Sequence, residues 1–376
     1  MDPIHRFAVP LPPLGEGSIK IHPRPIYIIM ENKTDILSLS HKEMQDFIVS
    51  LGEPRYRADQ IYTFLMRGAS SFEEMNNIPK KLIEKLNENA FIATAKQVEK
   101  LTSKDGTAKY LYEMYDGEKI ESVIMRYHYG NTICISSEAG CAMGCAFCAS
   151  TLNGISRRLL PSELLSQVIQ TQKDIGERID GIVLMGIGEP LDNYDNVIKF
   201  LRLVNEEKGL NIGLRHISLS TCGIVPRIYD LAKEELPITL SISLHAANDE
   251  TRSSLMPVNK RWNVETLLTA CSDYFAATGR RISFEYTLIS GKNDNEETAQ
   301  ELAAVLRKYC KNMPLHVNLI PVNAVKERGF VPSNKDGIKK FVAVLEKNHI
   351  VATVRRHLGS DINASCGQLR AKKAEI

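Results

Sequence analysis

Apolar positions recur three and four residues apart from about residue 35 to residue 104, then give way to short, nearly continuous apolar runs. In the first region SHKEMQDFIVSLG sets Met44, Phe47, Ile48 and Leu51 at helical spacing. Ser40 is placed to cap that helix and Gly52 to stop it. YRADQIYTFLMRG repeats the pattern, and SFEEMNNIPKKLIEKLNENA predicts one or two further short helices. KYLYEMY and KIESVIMRY then flank Asp116-Gly117, a strong hairpin dipeptide. Strands are expected at TICISS, GIVLMG, HISLST, ITLSIS, RISFEYTL and HVNLIPV. Helices such as SELLSQVIQTQKDIG, DNVIKFLRLVNEE and NEETAQELAAVLRKYC fall between and after them.

Apolar strands alternating with helices predict a parallel sheet covered on its outside. Six repeats without a glycine-rich dinucleotide fingerprint favour an α/β partial (β/α)6 barrel of the TIM type, preceded by a small helical domain. The expected division is a flexible extension over 1–32, a helical accessory domain over 33–105, a β-hairpin linker over 106–130 and the barrel core over 131–376.

Composition narrows the classes. Hydrophobic residues at 43% and charged residues at 24% are ordinary for a globular protein, and a net charge of +2 advertises no strong field for nucleic acid. Local basic surface stays open at Arg157-Arg158, Lys260-Arg261, Arg280-Arg281, Arg355-Arg356 and Arg370 through Lys373; solvated faces are an equal reading. No apolar run approaches the roughly 18–20 residues that span a bilayer, so no membrane association is expected. The Pro-rich start has no secretory layout, and the residues before Met30 read as a dispensable extension. Eight unevenly spaced cysteines argue for a reducing, cytoplasmic compartment. Cys271 and Cys310, in helix-like patterns, read as buried structural thiols.

Cys141, Cys145 and Cys148 change the picture. Their C-x3-C-x2-C spacing is too tight for a disulfide framework and suits one inorganic centre with soft sulfur ligands. A structural zinc site would want a fourth Cys or His at similar spacing, and none follows nearby. Three ligands on a four-iron cluster leave one iron open; zinc or a plain electron carrier are the alternatives. Polar or special residues also fall at the C-terminal ends of the expected strands, where barrel active sites are built. The cysteines follow the first strand and Gly188-Glu189-Pro190 the second. Ser220 ends the third, Ser243-Leu244-His245 the fourth and Asn323 the sixth. A lone His such as His245 is more often a structural residue.

CISSEAGCAMGCAFCAST, MGIGEPLDN, SLHAANDETR with MPVN after it, HVNLIPVN and DINASCGQLR resemble the signature segments of radical S-adenosylmethionine (SAM) ribosomal RNA (adenine-C2) methyltransferases. YRADQIYTFL with SFEEM resembles their N-terminal domain. The similarity runs from about residue 35 to 372. It implies a [4Fe-4S] cluster on Cys141, Cys145 and Cys148, with SAM on the open iron and two SAM consumed per turnover. Carbon 2 of adenine is electron-poor and cannot attack a methyl cation equivalent, so a 5′-deoxyadenosyl radical is needed.

By the same resemblance Cys366 takes a methyl from one SAM, and Cys134 resolves the RNA adduct by forming a disulfide with Cys366. Glu121 takes the proton from the substrate carbon. The residues alone read Cys134 as a buried strand cysteine and Glu121 as a surface carboxylate. Gly188, Glu189, Ser220, Ser243, Leu244, His245 and Asn323 correspond to SAM contacts, with Leu244 contributing backbone or packing. Cys222 corresponds to no family role, and Ser365 stands where relatives often have Ala. The implied partners are 23S ribosomal RNA, a transfer RNA adenosine beside the anticodon and an electron donor such as flavodoxin, with a monomeric enzyme. Related enzymes methylating carbon 8 tend to read GEA where this chain has Gly188-Glu189-Pro190. Carbon 8 methylation and a non-catalytic iron–sulfur or zinc RNA-binding module are the rival readings.

Overall fold

The computed structural model describes residues 33–369. The Pro-rich start and the basic stretch from Arg370 to Lys373 lie outside the described residues. Helices α1 (His41–Ser50), α2 (Arg57–Met66) and α3 (Lys80–Asn89) form where the periodicity placed them. Ser40 closes the start of α1 as a capping box. Its hydroxyl accepts from Glu43 N at 3.2 Å, and the Glu43 carboxylate accepts from Ser40 N at 2.7 Å. Such a cap contributes about 1 kcal/mol. Gly52 takes φ +74°, the left-handed conformation that ends helices. Short parallel strands β1 (Thr34–Asp35) and β2 (Ala90–Phe91) join the two ends of this unit.

Four strands follow as an antiparallel meander: β3 (Lys96–Thr102), β4 (Ala108–Glu113), β5 (Lys119–Tyr127) and β6 (Gly130–Cys134). A small separate pair, β7 (Glu138–Gly140) and β8 (Ile155–Arg158), brackets the cysteine loop. Helix α4 (Pro161–Ile175) leads to β9 (Gly181–Leu184), which pairs in parallel with β6. The alternation continues through α5 (Tyr194–Asn205), β10 (Ile217–Thr221), α6 (Val225–Lys233), β11 (Thr239–Ser243), α7 (Asp249–Leu255), α8 (Val264–Thr278) and β12 (Ile282–Leu288). It finishes with α9 (Glu296–Tyr309), β13 (His316–Pro321), α10 (Lys335–Lys347) and β14 (Val351–Val354). All seven residues of β12 are buried, as expected of a strand covered on both faces. Cys271 and Cys310 are fully buried in the main core, as their helical patterns implied.

The six expected parallel strands are all present, and three features depart from the sequence reading. Lys96–Thr102 falls in the stretch read as helical, yet it is strand β3. Its KQVEKLT side chains are exposed throughout, so no apolar alternation marks it, and pairing with β4 supplies its hydrogen bonds. The hairpin is no linker, because β5 pairs with β6 and extends the main sheet. A seventh parallel strand, β14, closes the far edge; its VATV run is only four residues long and largely exposed, and the sequence reading does not include it.

The helical unit is anchored to the body by specific bonds. Tyr62 Oη donates to Glu206 Oε2 at 2.5 Å, and His41 N donates to the same oxygen at 2.9 Å. Arg157 is consumed in the same way. Its guanidinium bonds Asp116 of the hairpin turn at 2.6 and 2.9 Å, and Glu163 of α4 at 2.7 Å twice. Arg157 is therefore internal and leaves the set of candidate RNA contacts, whereas Arg158 stays exposed beside Asp192. Removing one partner of a buried ionic network strands the other charges. Arg157→Met is expected to lower stability by roughly 3–5 kcal/mol, read as a fall in the urea midpoint with an unchanged slope. Arg158→Met, which breaks an exposed pair, is expected to cost under about 1 kcal/mol.

Candidate active site

The C-terminal ends of β9 to β14 and the loop after β6 line one cavity of about 150 Å³. The first and last strands of the parallel series both contribute, so the sheet curves into the partial barrel that the alternation predicts. Cys141, Cys145 and Cys148 line this cavity together with Gly188, Glu189, Ser220, Ser243, His245, Asn323 and Cys366. Residues from four separate strand ends and two loops, scattered over the sequence, are thus brought together.

The cysteine loop is held by backbone. Gly140 takes φ +83°, and a Cβ there would lie 2.0 Å from Gly154 O, so only glycine lets the loop start. Cys141 N donates to Gly154 O at 3.0 Å, and Ala146 N to Leu255 O at 2.8 Å. Among the described residues no three His, Cys, Asp or Glu side chains are arranged to hold a single metal ion. The three thiols instead rim a wider space walled by Met143, Phe147 and Met256. This donor set fits a multi-iron cluster better than tetrahedral zinc. Burial pushes all three thiols up, Cys145 to about 12, so cluster binding would be coupled to proton release.

Gly188 has φ +104°, and a Cβ would approach the Glu138 Cβ to 2.6 Å; the Gly permits this close passage. The Glu189 carboxylate accepts from Cys222 N at 2.7 Å and Leu191 N at 3.0 Å, which ties the end of β9 to the end of β10. Burial raises its carboxyl, and burial also lifts neighbouring Glu138 to about 9, leaving Glu138 protonated at neutral pH. His245 sits at φ +59°, held by Asn293 Nδ2 donating to its carbonyl at 2.9 Å. Its Nδ1 accepts from Thr287 N at 2.9 Å, which places the ring proton on Nε2. Burial and nearby Arg252 push the imidazole down to about 3, so it stays neutral. Its ring meets Phe147 of the cysteine loop edge-on at 4.9 Å. Leu244 points away: it is fully buried in the main core, and its N and O bond Glu285 O and Arg252 Nε.

Cys366 lies on a segment tethered across the cavity. Asn323 Nδ2 donates to Cys366 O at 2.9 Å, and Ala149 N donates to Gly367 O at 2.8 Å. Cys134, the last residue of β6, is buried among Val123, Met125, Ile187, Ala364 and Leu369. Burial, then the neighbouring Cys366 thiol, pushes it up to about 12, and both thiols are free. Glu121 is not a surface carboxylate. It is buried on β5, pairs with Lys109 Nζ at 3.0 Å and does not line the cavity.

Three arginines escaped the sequence reading. Arg252 is fully buried, and its guanidinium donates to Leu244 O, Asn259 Oδ1, Cys222 O and Ser243 O. Arg355, read only as half of a basic pair, lines the cavity beside Glu285, 3.8 Å away. Arg328 donates to Cys148 O at 3.1 Å and Thr151 Oγ1 at 2.6 Å. Arg252 does lie in the SLHAANDETR segment, but nothing in its spacing announces a buried cation.

Comparison with known proteins places this arrangement. Residues 135–303 match the radical SAM superfamily, and residues 34–92 match the ribosomal RNA large subunit methyltransferase N-terminal domain. A Clostridium acetobutylicum protein described as "Probable dual-specificity RNA methyltransferase RlmN" is 50% identical over 347 residues, 92% of this chain and 99% of that protein. One from Clostridium perfringens with the same description is 52% identical over 338 residues, 89% of this chain and 96% of its own length. The crystal structure of a radical SAM methyltransferase from Sphaerobacter thermophilus superposes with a TM-score of 0.86 at 40% identity, covering 90% of this chain and all of that one. Half-identity sustained across both the helical unit and the cysteine-bearing barrel leaves one assignment: the chain belongs to the RlmN family of radical SAM methyltransferases.

Proposed function

We propose that this chain methylates carbon 2 of an adenosine in 23S ribosomal RNA and of a transfer RNA adenosine beside the anticodon. It works in the cytoplasm as a monomer, with a low-potential donor such as flavodoxin. Within it the helical unit is the accessory domain and the barrel from residue 131 is the catalytic core. One observation carries the reading: Cys366 shares a cavity with the cysteine triplet that precedes it by more than two hundred residues in the chain. A cluster carrier or a zinc module has no use for that free thiol.

Cys141, Cys145 and Cys148 would hold the cluster. The neutral His245 and the hydroxyls of Ser220 and Ser243 offer hydrogen bonds to SAM, as do Glu189 and Asn323. When bound, cluster and SAM supply a carbon radical able to remove one hydrogen atom from an S-methyl group. The chain's own residues do the rest. Cys366 attacks the methyl of a first SAM: its S–C bond forms as the sulfonium S–C bond breaks, and S-adenosylhomocysteine leaves. The methylene it carries joins carbon 2, Glu121 is assigned the carbon 2 proton, with Lys109 holding its carboxylate in place, and the one electron then in excess on the ring would return to the cluster. Cys134 then attacks the Cys366 sulfur, so that an S–S bond forms, the S–C bond to RNA breaks and the electron pair left on the carbon takes a proton from water to complete the methyl group.

Anaerobic reconstitution with SAM and a 23S fragment, followed by nucleoside analysis, should yield 2-methyladenosine; 8-methyladenosine, or no methylated adenosine, overturns the reading. Cys145→Ala is expected to lose both iron and SAM cleavage, because three thiolates leave no spare ligand. Full iron retention in that variant would remove the assignment.

Cys366→Ala should abolish RNA methylation while uncoupled SAM cleavage survives. Cys134→Ala should instead accumulate a covalent protein–RNA species, visible as a slow band on a non-reducing denaturing gel. Normal turnover by Cys134→Ala would return Cys134 to a merely buried thiol.

Adduct release also has a pH signature. Because burial raises Cys134, the attacking thiolate is scarce at neutral pH, and the supply grows with pH. Single-turnover release is expected to speed up about tenfold per unit from roughly pH 7 to 9. A flat profile would show that the Cys134 proton is removed before the slow step.

A further inference from the structure

A second, larger cavity of about 610 Å³ borders the other end of the cysteine loop. The Cys366 segment touches the loop's C-terminal part, where Ala149 N bonds Gly367 O. The second cavity instead is walled by Ala142 and Met143 at the loop's N-terminal part, and Cys366 takes no part in its lining. Met143 lines both cavities, so this groove and the space that the three cysteines line share a wall residue.

The other walls come from segments after β9, β10 and β11, and they carry stacked cation–aromatic pairs. Arg261 lies over the Trp262 ring at 4.7 Å, and Arg227 over Tyr194 at 4.8 Å. Arg158 and Arg227 are balanced by Asp192 and Asp230, at 3.0 and 3.2 Å. Arg261 and its exposed neighbour Lys260 have no ion-pair partner among the described residues, against the one exposed carboxylate of Asp195. Arginine, tryptophan and tyrosine are enriched at protein-binding surfaces, and Lys260 with Arg261 adds cations that no carboxylate pairs among the described residues.

We propose that this groove is the docking surface for an acidic one-electron carrier protein, which delivers its electron through the Met143 side of the cysteine loop. The proposal rests on the assignment of Cys141, Cys145 and Cys148 as cluster ligands. Electron transfer slows exponentially with distance, so a carrier has to reach the loop itself, and the Cys366 side is the side RNA needs. The carrier is oxidised by one electron and the cluster reduced by one; no atom or proton has to cross. Complementary charge speeds such an encounter and makes it salt-dependent.

RNA could also stack on these rings, and the test separates the two. The reconstituted full chain and its Lys260→Glu/Arg261→Glu variant are titrated with flavodoxin by anaerobic calorimetry at low and high salt. Methylation is then driven in parallel by reduced flavodoxin and by dithionite. The variant is expected to bind flavodoxin about tenfold more weakly at low salt, with a similar loss of flavodoxin-driven turnover. Dithionite-driven turnover, RNA affinity, iron content and urea midpoint should stay at wild-type values. Lys260→Arg/Arg261→Lys should restore flavodoxin binding. An unchanged flavodoxin affinity overturns the proposal. So does a loss of RNA affinity with equal falls under both reductants, which would put nucleic acid in the groove. Should the wild type form no methylated RNA even with dithionite, the functional reading fails, and the flavodoxin affinities still decide the docking surface.

Discussion

Ala149 N and Gly367 O meet at 2.8 Å, and Ser150 Oγ adds a second bond to Leu369 O at 2.8 Å. These two bonds fasten the segment carrying Cys366 to the loop carrying Cys141, Cys145 and Cys148. Asn323 continues the fastening from β13: it donates to Cys366 O while its own Oδ1 meets His357 Nδ1 at 3.1 Å. In the proposed reaction, a methyl group on Cys366 is useful only within reach of the cysteine loop. A misplacement of one ångström can cost a hundredfold in such reactions. The sheet's curvature, the glycine at 140 and the Arg328 bond to Cys148 O all serve that registration.

The charges around the cavity follow from the same crowding. Three thiolates brought together in a largely dry space repel one another and resist ionisation, which is why burial lifts each thiol. The surroundings answer with positive charge and with neutralised acids. Arg252 is clasped by carbonyl and amide oxygens, none of them a carboxylate, so its cationic charge is not cancelled within its own shell. Glu138, at the back of Gly188, is kept neutral by burial, and His245 remains an uncharged donor. The field inside the cavity is thus set partly by Arg252 and Glu138, which do not line it, and partly by His245 and Arg355, which do.

Much of this was legible in the chain. The six parallel strands, the Asp116-Gly117 hairpin and the Ser40 cap rest on local periodicity and turn chemistry, which short segments carry by themselves. The cavity residues were legible because functional side chains collect at strand ends of one polarity. Strands β3 and β14 were not, since both take their identity from a neighbour and show polar or exposed faces. Leu244, read as contributing backbone or packing, has its side chain in the core and its N and O bonded to Glu285 O and Arg252 Nε. Arg157 and Arg355 read alike as members of basic pairs. Only tertiary structure shows that one is locked to Glu163 and the other faces the cavity.

The bond between Ser150 and Leu369 spans 219 residues of chain. A ribosome that emits residues in order releases the cysteine loop and every strand of the barrel before it releases Cys366. Contacts of such separation are also the slowest to close. The residues of the cavity's other walls are therefore all made before the segment that carries Cys366. Assembly order makes the Cys366 segment a late part fitted, and with it the cavity gains the wall that Cys366 and Gly367 provide.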